Sequence, residues 1–389
     1  MSPLGTRLAA AGLRAPRYDG RHLGLVLPAV TDALGAGRGP EDAAARATLG
    51  LEPRERAVVV LVDGLGRGNL VELAGHAPFL RSLLAADTAG LVTGFPTTTA
   101  SALGLLGTGH PGGRTGLVGY AARNPATGGL GNFVRWEGAP APHEWQREPS
   151  LLGGLVDRGV RVTSVGLARF SGSGLTSAVF AGATYVPADR RDDRVDATLA
   201  ALRTPGLVYL YWGELDKVGH RLGWRSAEWG AALETLDAEL SLLARSLPRG
   251  TNLVVTADHG MVDVDLDRRV DLADRPSLVA DVALLGGEPR AVHVYLRGGV
   301  DAARAAVRWS EELAEHAVVA TRDEVVDGGW FGDVRPHVLP AVGDLVVVAK
   351  DRATVVDSAR ATSGLLSMVG VHGSLTPLEV EVPFLRVAT

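Results

Sequence analysis

Carboxylates and imidazoles fall in short clusters along this chain: Val60-Leu61-Val62-Asp63-Gly64, Asp216-Lys217-Val218-Gly219-His220, Ala257-Asp258-His259-Gly260-Met261 and a late His372-Gly373. Asp and His are the donors that hold zinc and its neighbours, and these six side chains can furnish two three-ligand cation sites with room left for water or substrate. Such sites do hydrolytic chemistry. Between the first and second clusters lies Phe95-Pro96-Thr97-Thr98-Thr99-Ala100, a hydroxyl group of residues opening a small-residue run, and one of these threonines is a candidate nucleophile.

Each cluster also has an ordinary reading. Asp63 follows an apolar run and precedes Gly64 and Gly66, where a carboxylate reaches into a permissive loop or simply caps a turn. Asp216 and His220, four apart, share a face if the segment is helical, or form a surface ion pair. Asp258 and His259 point apart on an extended chain, so both reach one ion only at a turn, which Gly260 allows. His372 alone would pass for a loop histidine. Thr97 or Thr98 is placed to cap the helix suggested by Ala100 to Leu106, and a hydroxyl there also gains from free N–H groups that favour phosphate. His76, His110, His143, His293, His316 and His337 have no partner spacing and read as structural or solvated.

With 389 residues, 46% hydrophobic and 21% charged, the chain can bury a full core and is long enough for one large domain or a core plus a smaller insertion. A formal net charge of -5 and a pI near 6.1 give no electrostatic footprint for nucleic acid or an anionic membrane, so an anionic substrate must be held locally. The absence of cysteine excludes disulfides, thiolate ligands and cysteine nucleophiles. Arg7, Arg14 and Pro3 interrupt the N-terminus, which therefore lacks the apolar stretch of a secretory signal, and no run is long enough to span a bilayer. A cytoplasmic location is the expectation; the oligomeric state is not legible.

The elements that must position these residues are apolar, β-branched runs at Ala57 to Val62, Val160 to Val165, Leu207 to Leu210, Leu253 to Thr256 and Leu345 to Ala349, alternating with helix-like segments. Continuous runs of this kind suit strands buried on both faces of a mainly parallel sheet. Trp229, Leu233, Leu236, Leu240, Leu243 and Leu247 mark one helix face, with Ser226 as its N-cap. The expectation is an α/β three-layer sandwich, with Asp63 and Asp258 at strand C-terminal ends where ligands gather. Residues 278–342 read as an inserted cap lobe, so that 1–277 and 343–389 form the core. Trp330 and Phe331, in a Gly-rich loop of that lobe, are either a substrate-facing surface or a small hydrophobic core of the lobe itself.

Taken in order, Asp-Gly at a strand end, Pro-x-x-Thr opening a helix, Asp-x-x-Gly-His, Ala-Asp-His-Gly-Met and a late His-Gly resemble the alkaline phosphatase superfamily, specifically its nucleotide pyrophosphatase/phosphodiesterase branch. The pattern spans Asp63 to His372, and Pro96 to Gly109 matches the nucleophile segment without a gap. The resemblance implies one metal held by Asp63, Asp258 and His259 with the Thr99 hydroxyl as nucleophile, and another held by Asp216, His220 and His372. It implies two divalent ions, zinc by preference, and a small phosphodiester or nucleotide substrate hydrolysed through a covalent phosphothreonine. Thr99 rather than Thr98 follows from the Pro-x-x-Thr spacing. Ala102 departs from the pattern, because many members carry there an Asn that contacts a phosphoryl oxygen. A phosphomonoesterase or phosphonate hydrolase on the same scaffold, or a silent metal-binding homologue, are the alternatives.

Overall fold

A computed structural model describes residues 2–86 and 89–389. Its central sheet is built from β1 (Arg56–Val62), β2 (Val162–Gly166), β3 (Thr184–Pro187), β4 (Gly206–Trp212), β5 (Thr251–Ala257) and, far along the chain, a C-terminal strand (Phe384–Ala388). The spatial order is C-terminal strand, β5, β1, β4, β2, β3. All pairings are parallel except that of the C-terminal strand with β5. β1 and β5 are buried almost end to end, as parallel strands covered on both faces must be. The register matters for function: Val62 pairs with both Trp212 and Ala257, so the three central strands end level. Asp63, Gly213 and Asp258 therefore leave the sheet side by side at its C-terminal edge.

Three helices fix the remaining candidates. α1 (Thr99–Thr108) starts at the hydroxyl cluster and ends at Gly109, whose φ of 78° suits glycine. α2 (Glu214–Leu222) follows β4 directly and puts Asp216 and His220 one turn apart on one face. α3 (Ala227–Ser246) is capped by Ser226, whose hydroxyl accepts the Trp229 N–H, and it buries Trp229, Leu233, Leu236, Leu240 and Leu243. At about 2 kcal/mol per fully buried large apolar side chain, that face, rather than intrinsic propensity, secures the helix.

A second, antiparallel sheet contains β6 (Val282–Glu288), β7 (Ala291–Leu296), β8 (Ala317–Thr321) and β9 (Leu345–Ala349), in the order β6, β7, β9, β8. β9 thus lies inside this sheet, paired with β7 and β8, and does not return to the central one as its composition suggested. A run buried on both faces reads alike at the centre of either sheet. The C-terminal strand takes the edge position of the central sheet instead. The second sheet has its own apolar cluster, from Val270 through Trp309 to Val355, which extends on both sides of the expected 278–342 interval. Trp330 and Phe331 are 1% and 0% exposed and pack on Phe95 at ring-centroid distances of 4.9 and 5.3 Å. They join the main core and offer no substrate-facing surface, since three aromatic rings gain more from mutual burial than from a wet loop.

Candidate metal centre

All six Asp and His candidates converge with Thr99 at the C-terminal edge of the central sheet. His259 Nε2 lies 3.5 Å from Asp63 Oδ1, 3.4 Å from Asp258 Oδ2 and 3.4 Å from Thr99 Oγ1. His220 Nε2 is 3.2 Å from Asp216 Oδ1, and His372 Nε2 is 3.9 Å from the same oxygen. The rings of His259 and His372 stack at 3.6 Å. Among the described residues, two groups have donor atoms within 4.8 Å of one another: Asp216, His220 and His372, and Asp63, Asp216 and His259. Asp216 therefore lies between two ligand clusters, with Asp258 beside the second.

The tautomers of the three imidazoles are fixed by their outer nitrogens. Nδ1 of His220 meets the Gly370 carbonyl at 2.8 Å, Nδ1 of His259 the Gly260 carbonyl at 3.1 Å, and Nδ1 of His372 the Thr97 carbonyl at 2.8 Å. A carbonyl only accepts, so each Nδ1 carries a proton, and each Nε2 is turned toward the carboxylates. An Nε2 facing carboxylate oxygens at 3.2 to 3.9 Å calls for positive charge at the contact, which a bound cation or a proton supplies. Asp63 Oδ1, Asp216 Oδ1 and Asp258 Oδ2 are buried with no hydrogen-bond partner, which gives the same indication from the acid side. The donor set fits divalent metal.

Without a cation the cluster is electrostatically unhappy. Burial, then Asp258 and Asp216, push the Asp63 carboxyl well above the usual range, and burial also raises Asp258. His372 is driven well below its ordinary value by burial and by the neighbouring His259 and His220. Local hydrogen bonds nevertheless hold the acids in place. Asp258 Oδ1 accepts the backbone N–H of Gly64 and of His259 at 3.1 and 3.0 Å, and Thr93 donates to the Asp258 carbonyl. Gly64 has φ of 75°, and a Cβ there would meet the Asp216 backbone at 3.1 Å, so the turn after β1 needs glycine on two counts.

The three threonines differ. The Thr97 hydroxyl donates to the Ser374 carbonyl and accepts the Gly373 N–H, which ties it to the loop carrying His372. Thr98 is 1% exposed and occupies the N-cap position of α1, yet its side chain makes no capping bond. Thr99 is partly exposed, and its hydroxyl faces His259. Ala102 is fully buried in the main apolar cluster. Lys217 and Arg221 are exposed. Sequence reasoning missed Tyr211, whose hydroxyl donates a short hydrogen bond to Asp63 Oδ2. Its place at the end of β4, a strand adjoining β1, was the available signal.

A sequence profile described as type I phosphodiesterase / nucleotide pyrophosphatase matches residues 57–375. Among curated proteins, ectonucleotide pyrophosphatase/phosphodiesterase family member 7 of Homo sapiens is 41% identical over 64 residues, covering 15% of this chain and 14% of that protein. Among solved structures, murine ectonucleotide pyrophosphatase / phosphodiesterase 5 superposes with a TM-score of 0.66 at 18% identity, over 86% of this chain and 88% of that one. The same murine protein has been solved with AMP. Phosphonoacetate hydrolase from Sinorhizobium meliloti 1021, solved with phosphonoformate, gives a TM-score of 0.66 at 22% identity, over 86% and 90% of the two chains. These neighbours share the mixed α/β fold with its mostly parallel central sheet. No helix among the described residues is long and apolar enough to cross a membrane.

Proposed function

The chain belongs to the type I phosphodiesterase / nucleotide pyrophosphatase family, and on that premise we propose that it is a two-metal phosphodiesterase or nucleotide pyrophosphatase with Thr99 as nucleophile. Asp63, Asp258 and His259 would hold one cation beside Thr99, and Asp216, His220 and His372 the other. An all-imidazole and carboxylate donor set favours zinc over magnesium. When bound, such a pair supplies Lewis-acid polarisation of a phosphoryl oxygen and makes a nearby hydroxyl acidic enough to ionise near neutral pH. The observation that carries this reading is the set of three imidazole Nε2 atoms turned onto buried carboxylate oxygens that have no hydrogen-bond partner.

The chain's own residues do the rest. The Thr99 hydroxyl gives its proton to solvent and its Oγ1 attacks phosphorus; the bond to the leaving oxygen breaks, the leaving alkoxide takes a proton from water and departs as the alcohol, and a phosphothreonine ester remains. Water then displaces Oγ1, so two in-line steps retain configuration at phosphorus. Because the Thr98 side chain does not cap α1, the first N–H groups of that helix remain available to a phosphoryl oxygen. Tyr211 holds Asp63 in one orientation, as the Nδ1–H bonds hold the imidazoles.

Charge selects the substrate class. From Gly94 to Gly109 there is no charged residue, so this segment offers no Arg or Lys to a dianionic monoester. A diester, with about one negative charge, needs less compensation. The AMP complex of the murine neighbour supports a nucleotide as one partner of that diester. The test is kcat/KM for a nitrophenyl phosphodiester and its matching monoester under zinc saturation. The diester is expected to be preferred, and a monoester advantage of about tenfold or more would sink the proposal.

A further inference from the structure

Glu379 touches the loops of two candidate metal ligands at once. It lies in a short helix (Pro377–Val380) just after the loop that carries His372, and it is fully buried. Its Oε1 accepts the Ser374 N–H at 2.9 Å and its Oε2 the Thr376 hydroxyl at 2.6 Å, so the carboxylate gathers the loop around itself. The backbone of the same residue serves the other ligand. Its carbonyl accepts the N–H of Gly260 at 3.0 Å, and a Cβ on Gly260 would run into the Leu378 carbonyl, so the short helix rests on the turn after His259. The Gly260 carbonyl is the acceptor for His259 Nδ1.

Thr97 continues the connection from Ser374 into the site. Its hydroxyl donates to the Ser374 carbonyl at 2.8 Å and accepts the Gly373 N–H at 3.0 Å, while its own N–H donates to the Gly373 carbonyl at 3.1 Å. Its carbonyl accepts from His372 Nδ1 at 2.8 Å, two residues before Thr99. On the far side, Arg290, at the turn between β6 and β7, donates from Nε and Nη2 to the Glu379 carboxylate at 2.8 and 2.7 Å and from Nη1 to the Ala353 carbonyl at 2.6 Å. Both side chains of this ion pair are out of reach of solvent. Two apolar side chains of similar volume would be about as stable there, so stability does not account for the pair. An apolar pair could not, however, accept the Ser374 and Thr376 hydrogen bonds.

We infer that Glu379 is a positioning residue for the metal centre: its carboxylate sets the His372 loop against Thr97, its carbonyl holds the turn after His259, and Arg290 fixes it to the second sheet. The inference rests on His259 and His372 being metal ligands. It also gives the second sheet a part in the site, since Arg290 is the one contact of that carboxylate that comes from outside the His372 loop and the short helix.

The experiment compares two double variants with wild type, both carrying Arg290→Met so that no lone cation is left in the core. With Glu379→Gln, an amide oxygen remains for the Ser374 N–H and an amide N–H for the Thr376 hydroxyl oxygen; with Glu379→Met, neither remains. The readings are Tm, hydrogen exchange of the segment 372–376 in metal-free protein, zinc retention against a chelator, and kcat and KM on a nitrophenyl phosphodiester. The two doubles should agree in Tm to within about 5 °C. In the Gln double, exchange, zinc affinity and kcat should stay within about threefold of wild type. In the Met double, the segment should exchange about tenfold faster or more, and zinc affinity and kcat should fall about tenfold or more with KM unchanged. Equal exchange, zinc retention and kcat in the two doubles, or losses in both that follow a falling Tm, overturn the inference. If the Met double does not fold, Thr97→Val and Thr97→Ser make the same comparison at the other end of the connection: Val should loosen the segment and the zinc, Ser should not, and wild-type exchange and zinc retention in Thr97→Val overturn the inference. His372→Ala separates the two readings. Full zinc content and full turnover in His372→Ala sink the two-metal proposal and this inference with it, whereas an inactive His372→Ala beside indistinguishable doubles sinks the inference alone.

Discussion

His293, on β7, gives the second sheet a pH-dependent grip on the core. Its Nε2–H donates to the Val118 carbonyl at 2.9 Å, and its Nδ1 accepts the Gly343 N–H at 2.9 Å, an arrangement open only to the neutral ring. Burial lowers its pKa from 6.5 to about 4; the Val118 bond opposes this, and the Arg322 guanidinium adds to it. The sign follows from proton counting. Between these values the unfolded chain binds a proton that the folded chain refuses, so the contribution is fully present above pH 6.5 and is lost as pH falls toward 4. At about 1.4 kcal/mol per pH unit, the interval corresponds to about 3 kcal/mol. The assay is urea unfolding of wild type and His293→Gln from pH 7 to pH 4, compared as a difference so that other titrating groups cancel. Wild type should be the more stable at neutral pH, and the gap should shrink by about 3 kcal/mol on acidification. A gap constant to within about 0.5 kcal/mol would refute the reasoning.

Zinc reconstitution should load two ions per chain by elemental analysis, and chelation should abolish activity while leaving far-UV circular dichroism in place, because a core of this size does not need metal to fold; one tightly bound ion would reject the two-site assignment. Tyr211→Phe removes the donor on Asp63 Oδ2 and should weaken metal affinity about 10- to 100-fold in a chelator competition, with an unchanged affinity counting against the hydroxyl's role. Arg290→Met leaves Glu379 buried and unpaired, since both side chains are 0% exposed, and should lower unfolding stability by about 3–5 kcal/mol; a loss under about 1 kcal/mol would mean that Ser374 and Thr376 satisfy the carboxylate alone.

What the sequence made legible was chemistry with local punctuation. Asp63 and Asp258 each end a long apolar run, and such runs in a parallel sheet finish at one edge, so their convergence follows from pattern alone. The α3 face, with Ser226 and its spaced leucines, was equally plain. Long-range pairing was not. Leu345 to Ala349 carries no mark of which sheet it joins, and Phe384 to Ala388, with alternate residues exposed toward its end, lacks the profile of a buried central strand. The polar groups that hold the site, Tyr211 on Asp63 and Thr97 under His372 and Ser374, come from residues whose types are common and whose partners are distant in sequence. Trp330 and Phe331 misled for the same reason: a Gly-rich setting describes the backbone, while Phe95 decides their burial.

The central claim is that Thr99 forms a covalent bond to phosphorus. The direct measurement is mass spectrometry of the peptide containing Thr97 to Thr99 after rapid acid quench of the zinc-loaded enzyme during turnover of a nucleotide phosphodiester, in parallel with Thr99→Ala. The expected result is a phosphoryl or nucleotidyl adduct on Thr99 in the wild type, with no adduct and no turnover in a Thr99→Ala protein that still binds its metal. An adduct on Thr98, or turnover by Thr99→Ala close to the wild-type rate, would contradict the account.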